Sequence, residues 1–222
     1  MATAENTSPT GEMLKQMASE SVKQGENLRG QVRDMTLQAL KTRELTVEQI
    51  KQVVRSVSQG VNLGAATPAI DVGKTLTDAI HGMDDALLKA VQANRLALEQ
   101  FSSQSSEFSK SYLHQALEQL KRVEYEFFGV LKQTAEASTG KLRDQWSEVL
   151  KHTRIAGTDS GREVADTVEA FQNQMTTTMR ESQAATVKAF ETFNNNFLTM
   201  ASGILIGLSE ALEAKRGEKK GG

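Results

Sequence analysis

The chain has 222 residues, two prolines, no cysteine and 5% aromatics, a length sufficient for one ordinary domain with a core. With 26 basic against 28 acidic side chains the net charge is −2, so there is no strong positive field to hold a nucleic acid by counterion release. Without cysteine there is no disulfide framework, thiolate nucleophile, iron–sulfur cluster or thiolate-ligated zinc site.

Ala, Gln, Ser and Thr supply 78 of the residues, and no alternating β-branched run bounded by turns occurs. The sequence therefore predicts an all-α fold, with long amphipathic helices in an elongated antiparallel bundle or helical hairpin, expected to oligomerise. Residues 1–11 are small and polar and read as a disordered leader; they lack the charged and apolar regions of a signal peptide, so a cytoplasmic protein is expected.

Residues 12–66 form an N-terminal helical region. Its first helical pattern runs from Glu12 to Lys41 through Met13, Met17, Val22, Leu28, Val32, Met35 and Leu40, and Gly25 and Gly30 weaken it by about 1 kcal/mol each. Thr46 lies three residues before Gln49, a capping-box spacing, and Leu45 is placed to staple against Ile50. That helix is expected to fade between Gly60 and Ala66.

Residues 67–156 form a long amphipathic region opened by Thr67-Pro68, a capping hydroxyl before a first-turn proline. From Leu76 through Ile80, Met83, Leu87 and Val91 to Phe127, Val130 and Thr134 one face recurs with a mean period of about 3.6, the helical value. Asn94, Ser105 and Thr134 interrupt it. A continuous helix from Pro68 to Ile155 would measure about 130 Å. Breaks are expected in the serine-rich stretch Phe101 to Ser111 and at Ser138-Thr139-Gly140. Leu142, Trp146, Val149 and Leu150 resume the stripe before the loop Ala156 to Gly161, a short connection of the kind that joins antiparallel neighbours.

Residues 162–216 read as one C-terminal amphipathic helix through Val164, Val168, Phe171, Met175 and Phe190, ending in a flexible tail at 217–222. Within it, 197–208 is an apolar segment, too short for the roughly 18 to 20 residues that span a bilayer core. Being apolar around most of its circumference, it needs burial in protein, self-association or a lipid-like surface. The candidate surface or oligomer contacts are Phe190, Phe193, Phe197, Leu198, Ile204, Leu205 and Leu208. Gly203 and Gly207 have the spacing that permits close helix packing.

No constellation for catalysis emerges. Pro68 to Thr75 ends like a phosphate-binding loop but lacks its first glycine and a preceding strand. His81, His114 and His152 are far from metal-ligand spacing, and Asp78/His81 has no second copy of the kind a di-iron bundle requires. The acid pairs Asp84-Asp85 and Glu124/Glu126 read as solvated charge. Trp146 and Phe127-Phe128 read as inter-helix anchors. No catalytic residue, metal or cofactor is assigned, and neither a nucleic acid nor a small-molecule substrate is expected.

Two resemblances bear on function. In composition and pattern the region Asp71 to Lys215, with Ala170-Phe171-Gln172-Asn173-Gln174-Met175 and the Phe-Asn run Phe193 to Phe197, resembles the bacterial phasins. That resemblance implies a non-enzymatic coat on polyhydroxyalkanoate granules or a peripheral membrane surface. The alternative, read from the apolar helical faces themselves, is a cytoplasmic oligomeric adaptor that uses them to bind a partner protein. The whole chain more closely resembles an uncharacterised family of bacterial helical proteins, through Gly30-Gln31-Val32-Arg33-Asp34-Met35-Thr36-Leu37-Gln38-Ala39-Leu40 and Ala201-Ser202-Gly203-Ile204-Leu205.

Overall fold

A computed structural model describes residues 9–67, 71–104, 110–176 and 187–220, with their side chains except at 103, 104, 110, 111, 173–176, 187–193 and 212–220. The described residues form helices only: α1 (Gly11–Gln24), α2 (Leu28–Lys41), α3 (Val47–Ala65), α4 (Val72–Gln104), α5 (Lys110–Ala137), α6 (Gly140–Ala156), α7 (Asp159–Thr176) and α8 (Val187–Lys220). The all-α expectation holds, and α8 carries helix through 217–220, where a tail was expected.

Local chemistry explains the breaks. The first pattern is two helices, because Gly25 takes a left-handed conformation at φ 70° and closes α1 with a bond to the Ser21 carbonyl. In α1 the buried face is Leu14, Ala18 and Val22, while Met13 and Met17 stand outside it at 53% and 43% exposure. Thr46 caps α3 as its spacing predicts, accepting from Gln49 N at 3.2 Å, with Leu45 and Ile50 both buried. The cap of α4 is Asp71, whose Oδ1 accepts from Lys74 N at 3.1 Å, rather than Thr67; Pro68 lies outside the described residues. The long region is not one helix: α5 ends where Ser138 Oγ bonds back to the Thr134 carbonyl, and α6 starts at Gly140 with φ 56°.

α3 does not fade at its glycines; it runs on to Ala65. Gly60 and Gly64 are where α1 crosses it. A Cβ at Gly60 would lie 2.1 Å from the Lys15 carbonyl oxygen, and one at Gly64 would lie 2.6 Å from Val22 Cβ. Gly82 does the same for α4 on α2, 2.5 Å from the Arg29 carbonyl oxygen. Bare backbone at these places lets helices approach to contact.

The main packing joins next-but-one helices, α1 with α3, α2 with α4 and α3 with α5. Such pairs run in the same sense: Gly11, Gly60's neighbour Lys15 and Gly64's neighbour Ser19 climb α1 as their partners climb α3. Along α3 and α5 the links Lys51–Glu126, Ser58–Thr134 and Asn62–Ser138 climb together at 2.9, 3.0 and 2.6 Å. α4 is central, touching α2, α6, α7 and α8.

The loop Ala156 to Gly161 does not make a hairpin. Gln145 of α6 reaches Gly73, the start of α7 sits at Asp84, and Glu163 bonds Arg95 at 3.0 Å, so α6 and α7 lie end to end along α4. Gly157, at φ 76°, makes the bend between them.

Candidate functional site

The predicted contact residues lie on α8, which packs on α4 and touches α2. Phe197, Leu198, Ala201 and Leu205 are buried, and Ile204 and Leu208 are half-buried against the same core. The Phe197 ring meets Phe101 of α4 at 6.2 Å between centroids, tilted by 54°. Ser209, next in this register, is also buried and returns its hydroxyl to the Leu205 carbonyl at 2.7 Å. The side chains of Phe190 and Phe193 lie outside those described.

The outer strip of α8 is Asn195, Thr199, Gly203, Ile206, Gly207 and Glu210. Among the described residues no atom lies within 4 Å of a Cβ built at Gly203 or Gly207, so neither makes a close approach to any of them. The glycine pair with this spacing that does so is Gly60 and Gly64. Both pairs read alike in sequence; what separates them is whether the flanking apolar residues turn the glycine face inward.

Beside α8 opens a cleft of about 350 Å³. Phe197 and Leu198 form one wall, Leu45 and Val47 another, and Leu120 and Val123 of α5 the third. Asn94, an interruption in the predicted stripe, is buried here and donates to the Ala90 carbonyl at 2.8 Å. The Lys51–Glu126 ion pair stands at the rim.

The acid pairs are structural, contrary to the sequence expectation of solvated charge. Asp84 is only 5% exposed and caps α7 from α4, accepting from Asp159 N at 2.8 Å and Ser160 N at 3.1 Å. Its neighbour Asp85 takes both nitrogens of the Arg29 fork at 2.7 Å. Glu124 accepts from the Thr158 hydroxyl at 2.7 Å, while Glu126 holds Lys51. Burial raises the Glu124 carboxyl above its usual range; the Thr158 bond opposes the rise, Asp84 adds to it and Arg162 opposes it. A second polar joint is not foreshadowed by any sequence motif. Asn62 Oδ1 accepts from Ser138 Oγ and from Trp146 Nε1 at 2.9 Å, tying α3 to both sides of the α5–α6 bend around a fully buried tryptophan.

His81, His114 and His152 are exposed, and Lys74, the lysine of the phosphate-loop-like stretch, pairs with Asp78. Among the described residues no group of three metal-ligating side chains assembles, and no helix is long and apolar enough to cross a membrane.

The fold and the α8 face thus define an all-helical protein with a stripe of aromatic and aliphatic residues closed over its central helix. Residues 4–214 match a family of unknown function, DUF6781, and the chain belongs to it. No curated protein and no solved structure matches the chain.

Proposed function

We propose that the protein is non-enzymatic and phasin-like, coating a hydrophobic granule or lipid surface in the cytoplasm by turning the apolar side of α8 outward. The observation that carries this reading is the incomplete cover of α8. Its inner face is sealed, yet Ile204 and Leu208 are half-covered on its flanks and Ile206 is 39% exposed on its outer strip. A helix serving only the bundle is polar opposite its buried stripe. Burying one Leu, Ile or Phe contributes about 1.5 to 3 kcal/mol, so reburial in a polymer or lipid surface returns to the α8 residues the contribution they lose on leaving α4.

The test is flotation with polyhydroxybutyrate particles and, separately, anionic and neutral liposomes. The wild type is expected to float, and Ile204→Asp with Leu208→Asp to remain below while helicity is retained. Because those two sites touch the core, Ile206→Asp serves as the outward-facing variant and is expected to weaken binding without lowering Tm. Equal flotation of all variants would remove α8 from the assignment. Two dyes on cysteines placed at Thr199 and His152, in a chain otherwise free of cysteine, should move apart on binding.

The second reading is an oligomeric adaptor. Gly203 and Gly207 favour it, because no described residue lies against them on that strip, which leaves room there for another helix. Loss of self-association in Gly203→Leu, with no flotation by the wild type, would support that reading over coating.

A further inference from the structure

Away from α8, the antiparallel pair α5 and α6 leaves a valley of about 470 Å³ on its outer side. Its floor is apolar, made by Phe128 and Ala135 of α5 and Leu150 of α6. Its rim carries Lys132, Arg143, Lys151 and Arg154 against the single carboxylate of Glu136, in a chain whose net charge is −2. Glu136 is engaged by Lys132 at 3.7 Å, and Arg143 and Lys151 have no ion-pair partner among the described residues. The Arg154 guanidinium lies over the Phe128 ring, 5.3 Å from its centroid, an arrangement that leaves its N–H fork available to a carboxylate. At the end of the valley Ile155 is 76% exposed.

We propose that this valley docks an acidic amphipathic helix supplied by a partner protein. From Arg143 to Ile155 the valley runs about 18 Å, three to four turns of a third helix laid between two. The floor takes one apolar stripe, and the cations flank it where i,i+4 carboxylates of such a helix fall. The chain's own C-terminal end is a poor match for this rim, because Lys215, Arg216, Lys219 and Lys220 outnumber Glu210, Glu213 and Glu218 and leave it net positive. Concavity disfavours a lipid surface, since a flat bilayer reaches the cationic rim but not the floor. A polyanion without an apolar face leaves the floor unused. None of the valley's lining residues is on α8, so this docking is independent of surface coating.

The probe is a fluorescein-labelled helical peptide of about 20 residues with leucine on one face and glutamate flanking it, followed by anisotropy with the full chain. Comparisons are a scrambled peptide of identical composition, phosphatidylglycerol vesicles and inorganic polyphosphate. The amphipathic peptide is expected to bind, more weakly as salt rises. Arg143→Glu with Lys151→Glu should lower the affinity about tenfold or more, since two attractions become two repulsions. Ile155→Asn, which removes apolar surface without adding charge, should weaken it without changing salt dependence. All three positions are exposed, so circular dichroism and Tm should be unchanged. Absence of binding, equal binding of the scrambled peptide, or indifference to the double variant would overturn the proposal. Capture by vesicles or polyphosphate that the double variant abolishes, with the peptide unbound, would replace it with a plain anionic surface.

Discussion

Gly60 and Gly64 set the distance between α1 and α3. Gly60→Val places its Cβ against a backbone carbonyl, which has no rotamer to escape into, so a loss of about 3 kcal/mol or more is expected, read as a lower denaturation midpoint with the m-value unchanged. Gly203→Val, of the same spacing but with no described residue against it, should leave the monomer's stability unchanged or raise it by less than about 0.5 kcal/mol, because nothing is displaced and valine's helix propensity exceeds glycine's. Glu124 carries a pH dependence. A carboxyl raised in the folded state loses stability as pH climbs through its folded value; the loss is complete above that value and absent below the ordinary carboxylate range. Glu124→Gln keeps an acceptor for Thr158 and should therefore melt above the wild type at neutral pH, with the gap closing as pH falls below about 4. A gap that widened on acidification would contradict the burial account. Caps show how much of this scale was legible. Thr46 and Gln49 are three apart, so the bond is written locally; Asp84 and Asp159 are 75 apart, and nothing near Asp84 distinguishes a capping acid from a solvated one.

At the scale of elements, the apolar periodicity located the buried faces of α2, α4, α5 and α7, because a stripe repeating every 3.6 residues has one interpretation whichever helix it meets. The stripe runs from Leu76 to Thr134 without a change of phase, so periodicity alone does not separate α4 from α5; composition marks both breaks, the serine-rich stretch Phe101 to Ser111, within which α4 ends and α5 begins, and Ser138-Thr139-Gly140. Orientation was less legible. In α1 the methionines and the Leu14–Ala18–Val22 face are one residue out of step, and only the close fit of small residues against Gly60 and Gly64 selects between them. The site on α8 was partly legible: Phe197, Leu198 and Leu205 share the inner face, whereas Ile204 and Leu208 flank it. Hydropathy identified the segment, but in a helix apolar nearly all round it carries no phase, so it did not say which side faces α4.

For the whole molecule, the pairing of next-but-one helices gives the core a nonlocal wiring. The buried hydroxyl contact Ser58–Thr134 spans 76 residues, and the Trp146–Asn62 bond spans 84. Folding rates fall as the mean separation of contacting residues grows, so stopped-flow refolding should be slower than that of an up-and-down bundle of equal length whose hairpins close locally. Substitutions at Ser58 or Asn62 should mainly accelerate unfolding, since bonds that wait for distant chain form late. The same wiring matters during synthesis. While the chain is still emerging from the ribosome, α3 can pack on α1, but the polar side of α3 has no counterpart until the residues from 134 to 146 have left the tunnel. For that interval Asn62 and Ser58 remain in water, and the first half of the protein exists as a half-built bundle with an open seam, held closed only once Trp146 has left the tunnel.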